Sequence, residues 1–467
     1  MDSNRIVGAT TSQLRTWYRQ GRTTPTQALE AVVERLEDVD SRCHAVAALD
    51  LDAARAAAGR STARWKAGAP ISPLDGIAVS VKDSFPVKGL KRWHGSKLNQ
   101  GQPPSRHDGA PVVRLRQAGA VVFAKTTMPD LGLIAAGLSS QFGIVRNPWD
   151  LDLNPGGSSS GAAVLVACGL GPVSLGTDMG GSVRIPAALC GLVGLKPTQG
   201  LIAYDPPKLV GSPGPLARRV SDAVDLLEVV GAGDPSDHLS LPGRFRSNRR
   251  LAQDLRGTRV GVVTAGGAGI DVDDRIAGAV EDQARALERR GAKLVASPPV
   301  MSQAEAAAVH RVLLMRGLPE LLASPPELWR HLPQALMDGF NSVRDASAVE
   351  YLAAEREMES VRVKVSAAIR ATDLLLSPVL PAVCFPAEDL APTGGSHLTF
   401  TLPFNITSMP AATIPGAVTA AGLPVGVQIG ADRFADDKIL SVLALLERER
   451  SLELDYPSIP TRQAVAA

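Results

Sequence analysis

Two glycine–serine turns carry the residue types that can do covalent chemistry. One is Asn154 to Ala163, written NPGGSSSGAA; the other is Asp178-Met179-Gly180-Gly181-Ser182. Each offers hydroxyls beside a cluster of backbone amides. Attack on a carbonyl needs an oxygen nucleophile, donors for the oxyanion that forms, and a base. Consecutive amides of Met179, Gly180, Gly181 and Ser182 can supply the donors. Lys82, at the end of a strand with a small-residue face, can supply the base, because burial disfavours the charged form of an amine. Lys125 and Lys196 also stand near strand ends, and a lysine is ordinarily a solvated surface residue.

The first turn admits other readings. A Gly/Ser linker is longer and flanked by polar residues, whereas this loop runs into the apolar stretch after Gly161. A phosphate-binding loop needs a lysine and a Ser/Thr after its last glycine, and here Ala162-Ala163-Val164 follow. Gly157-Ser158-Ser159-Ser160-Gly161 fits the G-x-S-x-G spacing, which would make Ser159 a nucleophile. That motif needs a buried strand before it, yet residues 146–155 are polar with two prolines. Of the later histidines, His238, His310, His331 and His397, none sits in a marked loop motif.

The elements around the turns read as an α/β chain. Thr24-Pro25-Thr26-Gln27 is a capping box with proline at the first helical position. Leu29, Val33 and Leu36 follow at helical spacing, and Ala53–Gly68 forms a second helix. From Gly76, Ile77, Val79 and Val81 alternate with Ala78, Ser80 and Lys82, which is strand spacing. Helix 110–118 and strand 120–124 follow, then a small-residue helix at 162–168 and a buried strand at 173–176. A second strand–helix–strand unit runs through 260–264, 276–290 and 293–296. Residues 313–344 read as irregular helix, 348–371 as one long amphipathic helix, 374–378 and 425–429 as strands, and 437–448 as a last helix. The arginine-rich stretch 242–256 is the best linker, joining two lobes of one fold.

Composition narrows the class. Lys+Arg total 49 and Asp+Glu 47, without a basic stripe, which argues against nucleic acid as a partner. The four cysteines are dispersed and form no C-x-x-C pair, consistent with buried free thiols rather than a metal site. The most apolar run, 161–176, is too short and glycine-broken to span a bilayer. A cytoplasmic enzyme without a membrane segment is expected.

The ordered motifs resemble the amidase signature family of serine amidohydrolases. The matching text is Asp75–Asp83 (DGIAVSVKD), Gly119–Thr126, Asn147-Pro148, Pro155–Gly161, Leu175–Ala187 (LGTDMGGSVRIPA) and Gly191–Thr198 (GLVGLKPT). Pro403-Phe404-Asn405, Pro410-Ala411 and Gly422–Gln428 match near the C-terminus. The resemblance implies one amidase domain over 1–467 with a mixed, mostly parallel twisted sheet covered by helices on both faces. Within it lie an N-terminal helical region (1–70), the signature core (71–220), a variable helical lid or substrate wall (300–345) and a C-terminal part returning to the core (371–467).

It also implies a serine–cis-serine–lysine triad. Ser182 is then the nucleophile, Ser158 the relay held by a cis bond after Gly157, and Lys82 the base, with the oxyanion hole at Met179 to Ser182. Ser159, Asp178 and Arg184 are expected to support the turns. Met128, Leu131, Ile134 and Met315 are candidate substrate contacts, although core packing explains apolar residues equally well. No metal or cofactor is needed. A small amide or carbamate is the expected partner, with a monomer or homodimer as the working form. The same acyl-enzyme chemistry serves esters, anilides and carbamates (urethanes). The competing reading is the amidase subunit of a tRNA-dependent glutamine amidotransferase, which works only with partner chains.

Overall fold

Alternating apolar and small residues at 77–82 do form a strand, and it lies near the middle of one half of a single large sheet. The computed structural model describes residues 3–248, 254–267, 269–390, 396–449, 452 and 454–457. The sheet has eleven strands: β1 Val46–Leu49, β2 Ala78–Lys82, β3 Val121–Thr126, β4 Val173–Asp178, β5 Val193–Lys196, β6 Ser212–Ala217, β7 Arg259–Val262, β8 Lys293–Ala296, β9 Leu374–Pro378, β10 Ala411–Val418 and β11 Pro424–Gly430. Their spatial order is β1-β3-β2-β4-β6-β5-β10-β11-β9-β7-β8.

The sheet is mixed, as expected. Its parallel pairing is concentrated in two blocks, β3-β2-β4 and β9-β7-β8. The strands between them pair antiparallel. Three of those, β5, β6 and β10, have no clear signature in the sequence. The N-terminal region is not wholly helical, because β1 follows helix Pro25–Cys43 and pairs antiparallel with β3. The helix itself starts as read: Thr24 and Gln27 complete the capping box, and Pro25 opens the first turn.

Every residue of β2 is buried. Ile77, Val79 and Val81 join the main apolar cluster on one side, while Ala78 packs into a second cluster with Phe123, Val164 and Leu165. The small face lets the polar side chains of neighbouring strands meet: the Ser80 hydroxyl lies 2.8 Å from that of Ser174. Helix Ser160–Ala167 (SGAAVLVA) is buried along its whole length. Its small residues allow that, since it packs among several clusters with no polar face to expose.

The candidate linker has residues 249–253 outside the described set. Its described flanks lie on the same body: Phe245 N–H donates to Gly231 O at 2.7 Å, and the Ser247 hydroxyl donates to Asp437 at 2.8 Å. Both halves of the chain share one sheet, so the fold is a single α/β domain. Of the cysteines, Cys43, Cys168 and Cys190 are buried free thiols, while Cys384 is only half-buried. Among the described residues no group of His, Cys, Asp and Glu is placed to hold a metal ion, and no helix is long and apolar enough to cross a membrane.

Candidate active site

Parallel strands β2 and β4 end side by side, with Lys82 the last residue of one and Asp178 of the other. Carboxyl ends of strands are where open α/β sheets gather their ligands. Lys82 is 1% exposed, and its Nζ lies 2.7 Å from Ser158 Oγ. Burial pushes its pKa well below the ordinary lysine value; the charge of Asp178 works against that shift, and Lys208 adds to it. A neutral amine in hydrogen-bond contact with a hydroxyl can take its proton. The other two lysines are occupied elsewhere. Lys125 forms a fully buried ion pair with Asp83 at 2.7 Å, and Lys196 donates to Pro197 O at 2.8 Å.

The peptide bond from Gly157 to Ser158 is cis. Ser158 and Ser182 line one small chamber together with Met128 and Leu131. The two turns are stitched by the serine between them: Ser159 N–H donates to Ser182 O at 3.0 Å, and its hydroxyl donates to Thr177 O at 3.2 Å. Ser159 therefore braces the loops as the N-cap residue of helix Ser160–Ala167, with its hydroxyl turned to the strand rather than the helix.

The turn that carries Ser182 is held by a buried polar cluster. Asp178 and Arg184 are each 0% exposed and form a two-point ion pair, with Nη2–Oδ1 and Nε–Oδ2 both 2.9 Å. Burial alone would raise the Asp178 carboxyl, but the Arg184 charge and hydrogen bonds, with help from Asn405, hold it well below the usual carboxylate range. Arg184 also reaches Asn405 Oδ1 at 2.6 Å, Gln428 Oε1 at 2.7 Å and Thr401 O at 2.9 Å. The C-terminal motifs Pro403-Phe404-Asn405 and Gly422–Gln428 thus meet the turn from more than 200 residues away. Nothing within those motifs announces this role.

One expected oxyanion donor is already engaged. Gly181 N–H donates to Asp178 Oδ1 at 2.8 Å, while the amides of Met179, Gly180 and Ser182 donate to no described residue. Gly181 has φ +111°, and a Cβ there would come within 2.7 Å of the Thr401 hydroxyl. Only glycine suits that turn.

Ser182 also opens on a second cavity of about 530 Å³, walled by Ile134, Ile185, Leu313, Leu314, Leu336 and Leu398 among others. Its polar lining includes His310, His397, Asp389 and Gln303, and among the described residues neither Lys nor Arg. Burial lowers the His397 pKa to about 4, and the neighbouring His310 adds to that, so the ring is neutral. Among the substrate candidates, Ile134 lines this cavity and Met128 and Leu131 the small chamber. Met315 lines neither. It is buried in the apolar cluster behind the wall, because its helical neighbours Leu313 and Leu314 take the inward positions.

Gly132, which borders both cavities and would bring a Cβ within 3.4 Å of Ser158 Oγ, was not distinguishable in sequence. The wall draws on helix Gln303–Leu322 and helix Gln334–Asn341, while the short 3-10 helix Pro326–His331 between them adds Leu328 to the apolar cluster and not to the lining.

Comparison with known proteins agrees with this geometry. The Amidase family model matches residues 27–440. A glutamyl-tRNA(Gln) amidotransferase subunit of Salinispora arenicola is 32% identical, covering 95% of this chain and 97% of its own. The corresponding amidotransferase subunit of an Anaeromyxobacter species is 34% identical over 91% of this chain and 92% of its own. A solved bacterial aryl acylamidase of the amidase signature family superposes with a TM-score of 0.86 at 25% identity, covering 98% of this chain and 100% of that one. A family match across nearly the whole length, on a fold that brings the signature motifs together, means that the chain belongs to the amidase signature family of amide-hydrolysing enzymes.

Proposed function

We propose that the chain hydrolyses small carboxamides with an apolar or aryl acyl group through an acyl-enzyme on Ser182. The observation that carries this is the contact of buried Lys82, its pKa pushed well below the ordinary lysine value, with Ser158, beside an apolar cavity that opens on Ser182. In the cycle, the Ser182 proton passes to Ser158 Oγ as the Ser158 proton passes to Lys82 Nζ. The Ser182 oxygen bonds to the carbonyl carbon. The negative oxygen then faces the Met179, Gly180 and Ser182 amides. The C–N bond breaks with its electron pair on nitrogen, and the proton returns from Lys82 through Ser158 to that nitrogen. Water repeats the path in reverse and frees the acid.

A second reading has specific support. Relatives 32–34% identical along most of the chain carry the name of a glutamyl-tRNA(Gln) amidotransferase subunit. Glutamine, however, carries an α-carboxylate, and among the described residues that line the large cavity there is neither Lys nor Arg to receive one; Lys208 lines only the small chamber. Esters and carbamates share the acyl-enzyme route and are secondary candidates.

The test is turnover by the purified chain alone. Release of benzoic acid from benzamide, lost in Ser182→Ala, supports the proposal. Inertness until partner subunits are added, with glutamine then cleaved, replaces it with the amidotransferase reading.

A further inference from the structure

The large cavity and the small chamber meet at Ser182 but differ in what else they reach. Ser158 lines the small chamber and is absent from the wall of the large one. Gly180 lines the large cavity and is absent from the small one. A carbonyl attacked by Ser182 therefore sits at a junction with two exits. The departing nitrogen takes its proton from Ser158, so it must leave on the Ser158 side. The acyl group is left with the 530 Å³ cavity. The small chamber measures about 20 Å³, room for water-sized groups rather than an aromatic ring.

The chamber wall holds a polar group that the reaction cycle does not use. His94 is 2% exposed, and its Nδ1 lies 2.7 Å from Glu320 Oε1, on helix Gln303–Leu322. Asn99 Nδ2 donates to the same oxygen at 3.1 Å. A carboxylate at Nδ1 selects the tautomer that carries its proton there and leaves Nε2 as an acceptor. Burial lowers the His94 pKa to about 4, so the ring is neutral at pH 7. Nε2 has no hydrogen-bond partner among the described residues.

We propose that this chamber is the leaving-group subsite, that it admits ammonia or a short alkylamine but not an aniline, and that His94 Nε2 accepts an N–H of the departing amine. The preferred substrate is then a primary carboxamide with a bulky apolar acyl group. Once the neutral amine has left, the chamber admits the water that attacks the acyl-enzyme. This inference rests on the amide-hydrolase reading.

The experiment compares 4-phenylbutanamide, its N-methyl amide and its anilide, with 4-phenylbutanoic acid measured by liquid chromatography. Aniline is the better leaving group in solution, so a reversed order reports the chamber. The expected kcat/KM falls from primary to N-methyl amide, and the anilide lies at least about 100-fold below the primary amide. An anilide cleaved as fast as the primary amide overturns the inference and leaves the amide-hydrolase reading standing. Acid from none of the three overturns both.

His94 has φ +51°, a conformation that asparagine tolerates well. His94→Asn is expected to lower kcat on the primary amide at least about tenfold with little change in KM. It also narrows the gap to the anilide, because the shorter side chain opens the chamber. Glu320→Gln, which never touches the substrate, should lower kcat in the same direction by less. Equal losses on primary amide and anilide in His94→Asn would mean a merely structural role, and would overturn the assignment of His94.

Discussion

The turn that carries Ser182 and the apolar wall of the large cavity meet at Ser182 and are held by different forces. The turn is fixed by directional bonds with named partners: Asp178, Arg184, Asn405 and Gln428 leave little room for another residue type. The wall is a packed apolar layer in which Leu314, Leu321, Leu328, Leu332, Leu336 and Phe340 share one cluster. Apolar cores accept many substitutions of similar volume, whereas a bidentate ion pair does not. The turn is therefore specified residue by residue, and the wall by volume and shape.

Breaking the first region should have the larger effects. Ser182→Ala removes the attacking oxygen and is expected to lower kcat by about 10⁴-fold or more, measured by acid release. Lys82→Met is expected to cost about 10³-fold or more, yet its thermal midpoint should not fall. An amine that must shed its proton to be buried is replaced there by an apolar chain of similar length. A clearly lower midpoint would show that Lys82 stabilises the fold as well as the reaction.

The same lysine is expected to set the pH profile. Its folded pKa is depressed, so the base form persists below the ordinary lysine value of about 10.4. Activity should persist below the pH at which an ordinary lysine takes up its proton, and fall only as pH drops through the depressed value. Between the two pKa values the unfolded chain holds a proton that the folded chain has released, so the Lys82 contribution to stability rises with pH in that window. An activity limb centred near pH 10 would refute a neutral Lys82.

Next in size is Asp178→Ala, which strands a buried guanidinium. It is expected to cost about 3–5 kcal/mol in urea unfolding. The smallest effect belongs to the wall. Leu314→Val removes one methylene beside the large cavity and should shift preference among acyl chain lengths by about tenfold, with the pH profile unchanged. A changed pH profile in that variant would join the two regions functionally and end the contrast.

The same division decides what could be read in advance. The strands read at 77–82 and 120–124, observed at Ala78–Lys82 and Val121–Thr126, are legible in the sequence from their apolar runs. Strand β6, Ser-Pro-Gly-Pro-Leu-Ala, is not, since prolines argue against a central strand. It is tolerated because β5 pairs only with Leu216 and Ala217, so beside Pro213 and Pro215 no ladder bond on that side is lost. Among the site residues, Lys82 and Ser158 meet as the family resemblance implied. The engagement of the Gly181 amide by Asp178, and the turning of Met315 away from the cavity, depend on backbone direction and helix phase, which residue types do not encode. His94 and Glu320 stand more than 200 residues apart, and nothing local announces their contact.

The brace on Arg184 also imposes an order on synthesis. Lys82, Ser158 and Ser182 leave the ribosome first, and Thr401, Asn405 and Gln428 follow more than 200 residues later. A nascent chain halted at residue 390 would carry every reactive group and lack the side chains that secure the Ser182 turn. The brace on the Ser182 turn is therefore complete only once the last strands of the sheet have been made.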